Sequence, residues 1–152
     1  MVSSHDLSVG HEDIDAEHAT IVRRFEEINR AVGEEDAAAL GVALARLWDD
    51  SIGHFATEEA LMESFAYPER VAHHSAHQLF IEDLKSLVRE QQARGVDEEI
   101  ANWALLRVPE WFAFHVQTND APLARFIARK TAARLMAAAL GEERPDPRRK
   151  GV

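Results

Sequence analysis

His54 and Glu58 stand four residues apart, and so do His73 and His77. Positions four apart on a helix differ by ~40° around its axis, so each pair points at one place. Two imidazoles at that spacing make a ready metal clamp. His18 falls on an apolar stripe with Ile14, Ile21 and Val22. His115 and Asp120 are five apart, which is about 140° around a regular helix and would not bring them together. Pro122 supplies a reason for them to meet: it has no N–H to donate to the carbonyl of Thr118. That predicts an unwound or widened turn just before it.

Taken singly, each feature has an ordinary reading. A histidine on an apolar face is commonly a hydrogen-bonded core residue, and a His–Glu pair is commonly a solvated helix face. His5, His11 and His74 lie outside the pattern and read as surface residues. Coincidence changes the balance. Five imidazoles and two carboxylates, drawn from every helix of one small core, would be very costly to bury unless something bound them. Two metal ions can share Glu58 and Asp120 as bridges, with an oxygen from water as a third. Three imidazoles then make one ion six-coordinate, and two leave the other five-coordinate with a position open to a small diatomic molecule. Imidazole and carboxylate without thiolate suit iron or manganese, and octahedral demand disfavours zinc. No Glu-x-x-His occurs in the chain, which separates it from the carboxylate-rich oxygen-activating class.

The elements that must position these residues are helices. Asp13 or Asp15 is expected to cap a first helix through Ile14, His18, Ile21, Val22, Phe25 and Ile28 to about Ala31. Asp36 is expected to cap a second, carrying Leu40, Leu44, Leu47, Trp48, Ile52, Phe55, Leu61 and Met62 until Tyr67-Pro68 stops it. A third begins near Pro68 and holds Leu79, Phe80, Leu84, Leu87 and Val88. Gly95-Val96-Asp97 is a turn with a cap, and a fourth takes Ile100, Trp103, Leu106, Trp111, Phe112 and Phe114. The apolar pattern continues through Leu123, Phe126, Ile127, Leu135 and Leu140, with bends or breaks expected at Pro109 and Pro122. The expected fold is all-α: an antiparallel up-down-up-down four-helix bundle with an irregular N-terminal arm and a C-terminal helical extension. Residues 1–141 form the bundle on this reading, and 142–152 a mobile polar tail.

Bulk properties agree. The 152 residues suit one domain, 46% hydrophobic and 29% charged, with no disordered composition. The absence of cysteine excludes iron–sulfur clusters, thiolate zinc sites and cysteine nucleophiles. Seventeen basic against 27 acidic residues give a net charge of −10, which disfavours nucleic acid and anionic lipid as partners. No secretory signal and no membrane-length apolar run is found, so no membrane insertion and a cytoplasmic location are expected.

With these residues in hand, the chain resembles the hemerythrin family, specifically the single-domain bacterial hemerythrins. The resemblance rests on Ile14-Asp15-Ala16-Glu17-His18, on His54-Phe55-Ala56-Thr57-Glu58-Glu59 with Met62, on Tyr67-Pro68 with His73, His77 and Phe80, and on Trp111 through His115 to Asp120. It covers about residues 9 to 127. It implies that His73, His77 and His115 bind a saturated iron, that His18 and His54 bind an open one, and that Glu58 and Asp120 bridge them. It further implies two iron ions with a bridging oxo or hydroxo group, and dioxygen bound reversibly at the open iron. Phe55, Trp111 and Phe112 are then candidates for the apolar wall around dioxygen.

The chain departs from the family in four places, one being the helix past Pro122 and the tail, which make it longer than a minimal domain. Glu17 stands where a Gln is usual, and would add negative charge if it points inward. No aromatic residue is evident in the arm, which suggests a more open mouth. Pro122 stands where a basic residue is usual nearby. The leading functional expectation is a non-enzymatic carrier for storage, transport or delivery, passing oxygen to an unidentified accepting protein. The competing expectations are a di-iron peroxidase or nitric-oxide or peroxide scavenger, and an oxygen-sensing interaction module. His74 and Glu59 are expected to face away from the centre.

Overall fold

Two aspartates set the helix starts they are expected to set. The Asp36 side chain accepts from the Ala39 N–H at 2.9 Å, and that of Asp97 accepts from the Ile100 N–H at 2.9 Å, each satisfying a donor left free in the first turn. The computed structural model describes residues 4–142. A short 3-10 turn, Ser4–Leu7, leads into α1 (Glu12–Gly33), α2 (Ala37–Ser64) and α3 (Arg70–Arg94). Gly95 ends α3 at φ 76°, a conformation that favours glycine. The fourth helix, α4, spans residues 98–142. It consists of three α-helical stretches, Glu98–Asn102, Val108–His115 and Ala121–Glu142, joined by π-helical turns over Trp103–Arg107 and Val116–Asp120. Together they make an all-α bundle of four antiparallel helices with helical additions at both ends. The tail expected from residue 142 lies outside the described residues, save that Glu142 ends α4.

The prolines widen α4 and do not break it. Val108 donates to the Trp103 carbonyl and Ala121 to that of Val116, five residues back in each case. Each wide turn comes just ahead of a proline, Pro109 or Pro122, where the ordinary four-residue ladder lacks a donor. At the start of α1, neither Asp13 nor Asp15 caps: His11 holds that position and makes no side-chain bond there. Asp15 ties down the arm. It accepts from the Val9 N–H at 2.7 Å, the Gly10 N–H at 3.1 Å and the Ser8 hydroxyl at 2.9 Å. Leu7 is buried as a result.

The core has two apolar parts. The larger includes Ile21, Leu44, Phe55, Phe80, Leu84 and Phe112, and the smaller joins Met62, Tyr67, Leu123 and Ile127. Along α2, α3 and α4 the histidines and carboxylates fall between them, so a polar layer is sealed by hydrocarbon above and below. Ile52, Leu79, Leu106, Phe114, Leu135 and Leu140 fit the apolar pattern of the sequence, yet all are exposed. No helix among the described residues is long and apolar enough to cross a membrane.

Candidate metal centre

All seven residues singled out from the sequence are buried and meet in that layer. The π-helical turn delivers Asp120: five-residue hydrogen bonding places residues five apart above one another, and its Oδ1 lies 2.9 Å from His115 Nε2. The same oxygen is 3.1 Å from His73 Nε2, while Oδ2 faces His18 Nε2 at 3.2 Å and His54 Nε2 at 3.9 Å. Each Asp120 oxygen therefore addresses a different set of imidazoles. Glu58 sits opposite, with Oε2 at 3.0 Å from His77 Nε2, 3.3 Å from His73 Nε2 and 3.6 Å from His54 Nε2. Two donor groups result, Glu58-His73-His77-His115-Asp120 and His18-His54-Glu58-Asp120, each with its donor atoms within 4.8 Å of one another. They share the two carboxylates.

Some donor atoms pair, His77 Nε2 with Glu58 Oε2 at 3.0 Å among them, but several do not. His18 Nε2, His54 Nε2, Glu58 Oε1 and both Asp120 oxygens are buried with no hydrogen-bond partner. Such atoms are costly in a folded interior, and here they converge on shared points. The chemistry of the set, imidazole and carboxylate in two groups, fits a pair of cations.

A sequence model described as "Hemerythrin HHE cation binding domain" matches residues 9–127, most of the chain. The protein belongs to the hemerythrin family. It is similar to proteins named bacteriohemerythrin. One from Pseudomonas aeruginosa (strain LESB58) is 31% identical over 122 residues, 80% of this chain and 77% of that protein. One from Stenotrophomonas maltophilia is 29% identical over 120 residues, 79% and 76% of the two chains. One from Ralstonia nicotianae is 30% identical over 129 residues, 84% and 88%.

In this hemerythrin, an outer layer of acceptors aims the imidazoles. His18 Nδ1 donates to the Leu7 carbonyl at 2.8 Å. His54 Nδ1 lies 2.8 Å from Glu17 Oε2, and the Thr57 hydroxyl donates to Glu17 Oε1 at 2.7 Å. His77 Nδ1 lies 3.1 Å from Glu59 Oε1, which also meets His74 Nδ1 at 2.8 Å. A ring held at Nδ1 presents Nε2 inward, the usual arrangement behind a metal-binding histidine. Glu59 therefore turns toward the centre, against the expectation that it faces away, whereas His74 is exposed as expected. Glu17 points inward too. The arm covers His18, because Asp15 holds it down and Leu7 supplies both a buried side chain and the carbonyl on His18.

The three aromatic candidates divide between the two sides. Phe112 meets His18 and His54 edge-on, with ring centres 5.5 and 6.1 Å away. Phe55 stacks on His77 at 4.0 Å and also lies 5.6 Å from His54. Trp111 stacks on His115 at 4.8 Å. The wall of the two-histidine side is thus Phe112, with Phe55 reaching both sides. Trp111 belongs to the three-histidine side.

Burial disfavours charge on these rings, but at His54 and His73 the neighbouring carboxylates outweigh it. Burial alone would push His54 down, yet hydrogen bonding to Asp120 and Glu17 pushes it up to about 10. His73, also opposed by burial, is pushed up to about 9 by Asp120 and Glu58. Burial would raise Asp120, but four histidines hold it well below the usual carboxylate range. His115 is lowered, burial being the main cause. Before metal loading, His54 and His73 therefore carry protons at neutral pH. Their pairing with carboxylates is fully stabilising below the ordinary histidine value and is lost as pH rises through 9 to 10. His54 belongs to one donor group and His73 to the other, so each cation must displace one proton, and we expect the affinity for each ion to rise roughly tenfold per pH unit between about pH 7 and 9. Anaerobic ferrous titrations at several pH values measure this. A slope near zero would mean that the two rings are already neutral.

Proposed function

We propose that this hemerythrin reversibly binds dioxygen at a pair of iron ions with a bridging oxo or hydroxo group, as a carrier and not as a catalyst. On this reading His73, His77 and His115 hold one ion, His18 and His54 hold the other, and Glu58 and Asp120 span both. The observation that carries it is the asymmetry of the two donor groups: three imidazoles on one side and two on the other, around the same carboxylates. Imidazole and carboxylate without thiolate suit iron. When bound, such a pair supplies two one-electron reducing centres and one open position for a diatomic molecule.

The chain's own residues do the rest. Phe112 and Phe55 exclude water from the two-histidine side, Leu7 and the arm close over His18, and the outer acceptors fix the rings. Turnover chemistry needs a positioned acid or base. Glu17 and Glu59, the nearest further carboxylates, are each engaged by imidazole Nδ1, and this favours the carrier over a peroxidase or scavenger. A location in the cytoplasm, and delivery to an oxygen-accepting protein there, complete the proposal.

The test is the visible spectrum of anaerobically reduced, iron-loaded protein before air, after air, and after oxygen is removed again. A band that appears with air and vanishes on deoxygenation supports reversible binding. Direct conversion to a stable ferric spectrum sinks it in favour of an enzyme. The Glu17 carboxylate gives a second check. Replacing it with Ala frees His54 Nδ1, and we expect metal affinity on the two-histidine side to fall by roughly 10–100-fold. Glu17→Gln retains an acceptor and is expected to recover most of that loss. Equal losses in both variants would show that charge, not ring orientation, is what Glu17 supplies.

A further inference from the structure

The wide turn at Val116–Asp120 has its purpose in aiming Asp120, but the one at Trp103–Arg107 presents no residue to the metal centre. Wide turns of this kind frequently mark functional positions. This one forms a wall of an apolar groove between α1 and α4, a cavity of about 290 Å³ lined by Val22, Phe25, Ala104, Leu105, Leu106 and Pro109. Val22 and Ala104 are buried, and the exposed polar residues Glu26 and Asn29 complete the lining. The other side of the turn is anchored to α3, where Trp103 Nε1 donates to Asp83 at 3.0 Å and Arg107 also pairs with Asp83. The wall is therefore held in place.

From the groove, aromatic rings in contact with one another extend to the two-histidine side. Phe25, in its lining, packs edge-on to Phe112 at 5.8 Å, and Phe112 packs edge-on to His18 at 5.5 Å and His54 at 6.1 Å. Two ring thicknesses separate the groove from the two-histidine side, with no charged group among them. A different cavity reaches His54 directly, but it is lined by Glu17, Asp49 and Asp50. Water and cations suit that acidic mouth, whereas an apolar gas partitions into hydrocarbon.

We infer that the groove between α1 and α4 is the route by which dioxygen reaches the two-histidine side, with Phe25 and Phe112 as its gate. This rests on the dioxygen reading above. A route differs from a binding site in its kinetics: blocking it raises the barrier to arrival and departure alike and leaves affinity unchanged.

Leu105→Trp fills the groove, and Leu106→Trp, at an exposed position, narrows it without burdening the core. Stopped-flow mixing gives the association and dissociation rates of dioxygen on the iron-loaded protein. We expect both rates to fall about tenfold or more in Leu105→Trp and by a smaller shared factor in Leu106→Trp, at constant dissociation constant. Crystals pressurised with xenon are expected to show the gas in the groove of the unaltered protein and not in Leu105→Trp. Unchanged rates in both variants, a changed dissociation constant, or a groove free of xenon in the unaltered protein each overturn the route. If the unaltered protein forms no oxygen adduct, the carrier reading fails, and the route with it. An adduct whose rates ignore both variants removes the route alone.

Discussion

Asp120→Ala is expected to reduce metal content from two ions per chain to fewer than one. Its two oxygens face different imidazoles, Oδ1 toward His73 and His115 and Oδ2 toward His18 and His54, so this one substitution takes an oxygen from both donor groups. Removing it also leaves four imidazoles with Glu58 as their remaining buried counter-charge. Breaking a buried pair by deleting one partner costs about 3–5 kcal/mol. The metal-free variant should therefore be less stable than the metal-free parent, beyond its loss of metal. Elemental analysis after anaerobic reconstitution and gel filtration measures the content. Glu59→Ala is the contrast: it removes an acceptor behind His77 but no atom of either donor group, so two ions should remain, held more weakly by roughly 10–100-fold. Two ions per chain in Asp120→Ala would falsify the bridging role.

That contrast follows the line between what could and could not be read from the sequence. Residues that act through their own helix were legible. Asp36 and Asp97 cap because a short acidic side chain reaches donors two or three residues ahead. Asp120 joins His115 because Pro122 removes a donor from the ladder, a local cause with a local result. The inward stripe placed His18, His54, Glu58, His73 and His77 for the same reason. Residues that act across helices were not legible. Glu17 and Glu59 each sit one position from an inward residue, about 100° around the axis, and so read as solvent-facing. Both are long enough to reach around the helix edge to Nδ1 of a neighbouring imidazole. A carboxylate directly beside an inward residue on a helix of this kind is the available signal.

The arm and the apolar flanks illustrate the same limit. Asp15, like Asp13, stands where a cap is expected at the start of a helix, yet it collects three donors from the chain that folds back before it. Nothing in a periodicity shows that Leu7 will end beneath that fold, with its carbonyl on His18. Conversely, Leu79 and Phe114 satisfy the helical pattern but remain exposed. Each helix in a four-helix bundle buries a limited stripe, and residues on its margins meet water whatever their type. Single exposed apolar residues of this sort are ordinary on protein surfaces.

Chelation of the loaded protein is expected to lower its melting temperature by about 15–30 °C, the largest stability effect predicted for this molecule. A ligand that binds only the folded state stabilises by about 4 kcal/mol when present at a thousand times its dissociation constant. Two ions then give roughly 8 kcal/mol, and for a chain of this size each kcal/mol is worth about 2–4 °C. The bundle should still fold without metal, because its two apolar clusters lie on either side of the polar layer and do not depend on it. The metal-free layer has a partial substitute for the ions in the protons on His54 and His73, which pair with Glu58 and Asp120. The gap between loaded and chelated protein should therefore widen with pH, as those protons leave near pH 9 to 10 while the loaded form has none there to lose. Scanning calorimetry of both forms at pH 7 and pH 9.5 measures the gap. A gap that narrows at high pH would mean that those protons do not substitute for the metal.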